Sequence, residues 1–105
     1  MGCKIVFAPQ AIEDLAEAVR HIARDDPETA VRIGHALIDR VTILENFPLL
    51  GSPYPKRPEI RKLVSRPYII FYRADAEQDR VDILRYWHGA RGSEPRFGEE
   101  TEGTK

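Results

Sequence analysis

The residues best equipped for chemistry sit in one short run near the end of the 105-residue chain, Arg85-Tyr86-Trp87-His88-Gly89-Ala90-Arg91. An imidazole beside a phenol can move protons, and guanidinium groups can hold a phosphate. Together they would suit metal-free cleavage of RNA. In an extended strand side chains alternate, so Arg85 and Trp87 would share one face, and Tyr86 and His88 the other. The same run also reads as a plain anchor for the end of a sheet, and the residues alone leave both readings open. Other chemistry is unsupported. There is no Gly-rich phosphate loop and no GxSxG, and the single cysteine, Cys3, falls in the first apolar run. His21, His35 and His88 lie in different elements without ligand spacing, so no metal and no cofactor are expected, and His21 and His35 read as partly buried structural residues.

Composition sets the frame for these residues. Apolar residues make up 42% and charged residues 31%, the balance of one globular domain. No apolar run approaches the ~20 residues of a membrane span, and the first residues lack the long apolar stretch of a secretory signal. A cytoplasmic protein is the expectation. Charge is uneven: residues 1–47 carry 5 basic and 8 acidic side chains, residues 48–98 carry 10 and 6. The basic excess is densest between Lys56 and Arg73, where only Glu59 interrupts it. Such a run can steer an acidic partner, or it can be a solvated face. The sequence pI of about 6.3 is low for a dedicated nucleic-acid binder.

The elements that must position the candidate run are legible from their periods. Lys4–Ala8 reads as a strand ending at Pro9. Ile12, Leu15, Ala16, Val19, Ile22 and Ala23 form a helical stripe, with Glu13, Asp14, Glu17, Arg20 and Arg24 outward. A second helix starts at Pro27, capped by Asp26, buries Ala30, Ile33, Leu37, Val41 and Leu44, and ends before Pro48. The helices should be about 15 and about 20 residues long and form a hairpin. Residues 48–58 read as a proline-rich loop, and Ile60–Val64, Tyr68–Arg73 and Arg80–Trp87 as strands joined by short turns. The predicted class is α+β, in the order β-α-α-β-β-β, with the helical hairpin packed on one face of a small antiparallel sheet. Residues 1–96 form the domain, and 97–105 read as a flexible acidic tail.

The order of motifs resembles the ParE/RelE superfamily of bacterial type II toxin–antitoxin toxins over residues 4–92. The resemblance is carried by Ala11, Asp14 and Leu15 at a helix start, then Leu44, Pro48 and Gly51 as Leu-x-x-x-Pro-x-x-Gly. It continues through Arg61 and Leu63, through Tyr68, Ile70 and Tyr72, and through Ile83, Leu84, Arg85, His88 and Arg91. The resemblance implies a helical hairpin on a sheet and a toxin of a plasmid-stabilisation module, silenced by a cognate antitoxin. ParE-like members inhibit DNA gyrase by binding; RelE-like members cut mRNA on the ribosome without metal. The moderate pI, the long helices and the loop at 48–58 favour the ParE-like side, hence a protein that does no chemistry. On the nuclease alternative the implied catalytic set is Arg61, Arg85, Tyr86, His88 and Arg91. The implied antitoxin- or target-binding set is Arg61, Tyr68, Tyr72, Arg73, Arg85, Trp87 and Arg91. The strand Tyr68–Arg73 is expected to expose its aromatic and arginine side chains to an antitoxin. A homodimer or a hetero-oligomer with antitoxin fits the resemblance, and no membrane partner does.

Overall fold

The computed structural model describes residues 2–97. A strand, β1 (Lys4–Phe7), runs directly into α1 (Pro9–Ala23), whose first turn accepts Pro9 because its missing N–H would lack a helical partner anyway. The second helix, α2 (Pro27–Arg40), opens on Asp26, whose carboxylate accepts the Thr29 N–H at 3.1 Å and the Thr29 hydroxyl at 2.6 Å. These bonds hold the exposed Asp26 carboxyl below the usual carboxylate range. The expected long second helix is instead α2 followed by a 3-10 turn, Val41–Glu45. The tighter winding brings residues three apart into line, and Val41 and Leu44 both enter the core.

The face of α1 also differs from expectation. Ala11 is fully buried, and Leu15 and Ala18 pack on the core, while Ile12 is 56% exposed. A helix turns about 100° per residue, so the stripe Ala11, Leu15, Ala18 carries Asp14 inward with it. The carboxylate predicted to face water is therefore a buried one.

Four further strands follow: β2 (Ser52–Tyr54), β3 (Arg57–Ser65), β4 (Tyr68–Asp75) and β5 (Arg80–His88). They form one sheet in the order β1-β5-β4-β3-β2. The sheet is mixed rather than antiparallel throughout. β1 lies parallel to β5, with Ile5 opposite Val81, because the two helices and the other strands separate them and return β5 in the same direction. β2 is a strand that the proline-rich loop concealed; its Pro53 is tolerated because β2 is an edge. The Arg66–Pro67 bond between β3 and β4 is cis.

Both faces of the sheet bury apolar clusters, with Val64 of the outer face 49% exposed. The helices cover one face, over Leu63, Tyr68, Ile70, Tyr72, Val81, Ile83 and Tyr86. The opposite face carries Ile60, Phe71, Leu84 and Trp87, and the segment after β5 folds back over it. Several contacts hold that segment, among them the Trp87 indole N–H, which donates to the Ser93 carbonyl at 3.2 Å, the Lys56–Glu94 pair at 2.5 Å, and Phe97, which joins Phe71 and Tyr54 edge-on. Phe97, expected to begin the tail, is 2% exposed. The remainder of that expected tail, 98–105, lies outside the described residues. Among the described residues no helix is long and apolar enough to cross a membrane.

The family-like motifs meet in one place. The Tyr72 hydroxyl donates to the Pro48 carbonyl at 2.8 Å and accepts the Gly51 N–H at 2.8 Å, while Arg61 donates to the Gly51 carbonyl at 2.6 Å. Together they pin the loop after the 3-10 turn onto the sheet. Tyr72→Phe removes the hydroxyl and leaves a buried N–H and a carbonyl without it. The variant should lose about 1–3 kcal/mol, read as a lower urea midpoint with an unchanged slope.

Candidate functional site

A cleft of about 400 Å³ lies between α1 and the C-terminal end of β5, lined by Asp14, Glu17, Ala18, His21, Tyr68, Tyr86, His88, Ala90 and Arg91. Its floor is set by one ion pair. Arg85 Nε and Nη2 donate to the two Asp14 oxygens at 2.7 and 3.1 Å, and the Tyr86 N–H adds a third bond to Asp14 at 3.1 Å. This forked geometry fixes α1 against β5 at the point where β1 has ended. The third arm of Arg85 reaches the Arg96 carbonyl at 2.6 Å, so one guanidinium ties together the helix, the sheet and the returning segment.

Seen against these bonds, most of the predicted site residues have internal tasks. Arg85, expected to grip a phosphate, is only 12% exposed at its side chain and is fully engaged. Tyr86, expected to move a proton, donates its hydroxyl to the Leu37 carbonyl at 3.0 Å, and burial pushes its phenol well above the usual range. Arg61 and Tyr72 belong to the loop pin at the other end of the sheet. Four residues of strand separate Tyr72 from Tyr68, or about 13 Å. Arg61 therefore cannot close on the same phosphate as His88. Trp87 is 8% exposed and Arg73 lies 4.0 Å from Asp82. β4 is central, and Tyr68, Ile70, Phe71 and Tyr72 are buried, so this strand offers neither a free edge nor the exposed aromatic face expected of it.

Four predicted residues do come together: Tyr68, Tyr86, His88 and Arg91 line the cleft, with the Tyr86 hydroxyl already spent on the Leu37 carbonyl. The His88 and Tyr68 rings meet edge-on at 5.2 Å, and Arg91 stacks over Trp87 at 4.4 Å. Asp14, Glu17 and His21 also line the cleft, although the sequence marks none of them as a site residue: Asp14 and Glu17 read as outward and His21 as structural. Asp14, Glu17, Ala18 and His21 share the helical spacing of a single face, and that spacing is the available signal.

The fold, a helical hairpin on a five-stranded mixed sheet, is that of ParE- and RelE-type toxins. It is similar to a chain of the chromosomal ParDE toxin–antitoxin system from P. aeruginosa, with a TM-score of 0.71 and 22% identity over 82% of this chain and 95% of that one. It is also similar to a chain of the RelBE2 toxin–antitoxin complex from Mycobacterium tuberculosis, with a TM-score of 0.65 and 25% identity over 84% and 99% of the two chains. A search of curated proteins gives no match. The family model described as the ParE toxin of the parDE type II toxin–antitoxin system matches residues 5–92, and the chain belongs to that family.

Proposed function

We propose that this ParE-family toxin acts by binding and does no chemistry, with DNA gyrase as its target and a cognate antitoxin as its neutralising partner in a plasmid-stabilising module. One observation carries the reading. The side chains that RNA cleavage would draw on are engaged inside the fold: Arg85 on Asp14, Tyr86 on the Leu37 carbonyl and Arg61 on the Gly51 carbonyl. Membership of the ParE family supports gyrase as the target. A protein partner is further supported by Phe47 and Leu49, which are 60% and 63% exposed on the pinned loop, since neighbouring exposed apolar side chains mark interaction surfaces.

The second reading, a ribosome-dependent nuclease, has His88 and Arg91 in its favour, because both reach the cleft. One pair of assays separates the two. Purified gyrase titrated with the chain should stop supercoiling relaxed plasmid and accumulate cleaved DNA, while mRNA in a programmed ribosomal A site stays intact. Normal supercoiling together with A-site cleavage would reverse the assignment.

A further inference from the structure

The α1 wall of the cleft brings Asp14, already taken by Arg85, then Glu17 and His21; the opposite wall brings Tyr68, His88 and Arg91 beside Tyr86, whose hydroxyl is spent on the Leu37 carbonyl. Tyr68, His88 and Arg91 can each donate a hydrogen bond. The Ala90 N–H donates to His88 Nδ1 at 3.1 Å, so the proton of the neutral ring sits on Nε2. Burial raises the Tyr68 phenol, against a smaller opposing pull from the Arg91 charge, and the hydroxyl keeps its proton. The Arg91 guanidinium carbon lies 4.4 Å from the Trp87 ring centroid, a cation–π contact that uses none of its N–H groups. Among the described residues no carboxylate pairs with Arg91.

We propose that this cleft is a docking recess for one carboxylate side chain, Asp or Glu, of a protein partner, held by Arg91, His88 and Tyr68. Glu17 on the facing wall accepts a backbone N–H of the same segment. The inference deepens the reading of the chain as a protein-binding toxin and rests on it. Charge limits the occupant to a single carboxylate. Arg91 is the one lysine or arginine among the described residues that line the cleft, and Arg85 is already matched by Asp14. The facing Glu17 repels any further negative charge, so a strand with a charge at every phosphate is opposed there. The exposure of Glu17, His21 and Arg91 gives the cleft an open mouth. A small metabolite would need most of its surface buried, which suits a closed pocket, whereas a side chain arriving on a larger surface needs only a recess.

The test uses the full chain, labelled with ¹⁵N at histidine, titrated with N-acetyl-glutamate N-methylamide and followed at the His88 ring nitrogens. Saturable movement of the His88 signal is expected. The uncharged N-acetyl-glutamine N-methylamide should bind at least about tenfold more weakly, as should the charged probe to Arg91→Gln. Tyr68→Phe should weaken the charged probe severalfold, with a starting spectrum that shows the fold intact. Equal binding of the two probes would overturn the proposal. So would an unchanged affinity in Arg91→Gln, or a short single-stranded RNA that binds this cleft more tightly than the glutamate probe. Gyrase is absent from this measurement, so a chain that takes the probe but fails to inhibit gyrase overturns the target alone. A chain that inhibits gyrase but ignores the probe overturns the recess alone.

Discussion

Replacing Asp14 with alanine is expected to cost about 3–5 kcal/mol of folding stability, a large part of what a domain this size possesses. The Asp14 and Arg85 side chains are 7% and 12% exposed, so the pair is almost fully removed from water. Burying two charges is costly, and their attraction offsets this only with good geometry and with the remaining hydrogen bonds satisfied. Here the fork is two-pronged, and Asp14 also takes the Tyr86 N–H. Alanine leaves the guanidinium buried without its counter-charge and the Tyr86 N–H without its acceptor. Asp14→Asn keeps the shape and some of the bonds, so its loss should be smaller. The double replacement Asp14→Leu with Arg85→Met removes both charges and should recover much of the stability. Urea or guanidinium unfolding of the four proteins reads these differences directly. A loss below about 1 kcal/mol for Asp14→Ala would place the pair with weak surface ion pairs and contradict this account. The cleft would suffer as well, because this pair sets the spacing of α1 from β5.

The second large effect is expected at Phe97. Its ring is 2% exposed and sits 5.5 Å from Phe71 and 6.3 Å from Tyr54, with the Arg57 guanidinium 5.9 Å over its face. Phe97→Ala should cost about 3–5 kcal/mol through the lost burial and the cavity left behind. Phe97→Leu refills most of that volume and should cost much less. The neighbouring Lys56–Glu94 pair is a useful contrast. Its side chains are 63% and 59% exposed, and Lys56→Ala should leave the unfolding midpoint close to that of the unsubstituted protein. If Phe97→Ala were as mild as Lys56→Ala in the same unfolding experiment, the returning segment would be loosely held and the outer face of the sheet effectively open. A wild-type-like midpoint for Phe97→Ala is therefore the result that would refute this packing.

The residues that made the chain resemble its family turn out to be largely structural. Leu44 fills the core, and Pro48, Gly51, Arg61 and Tyr72 hold one another at the loop pin. Gly51 has no substitute there. A Cβ would lie 2.5 Å from the Lys62 carbonyl oxygen and 2.9 Å from the Tyr72 hydroxyl. The resemblance implies binding roles for Arg61, Tyr72 and Arg85, and arginine and tyrosine are types that dominate interfaces. The same side chains serve equally well as internal braces when a carbonyl or a carboxylate lies within reach, and a residue's type does not reveal which partner it meets.

The sequence by itself determined what depends on near neighbours: the two amphipathic helices, the Asp26 cap, the strands β3 to β5 with their hairpin turns, and the α+β class. Caps, turns and periodicities act across a few residues, so they are written locally. Only the tertiary structure decided that β1 runs parallel to β5, that Asp14 points inward, and that the segment after β5 closes the second face of the sheet. It also decided which candidates share a cleft. Asp14 and Arg85 are 71 positions apart, and whether they meet depends on which face α1 turns toward β5. That rotation is chosen by the whole core at once, by burial of Ala11 and Ala18 together with satisfaction of one buried charge, and no local stretch of sequence contains it.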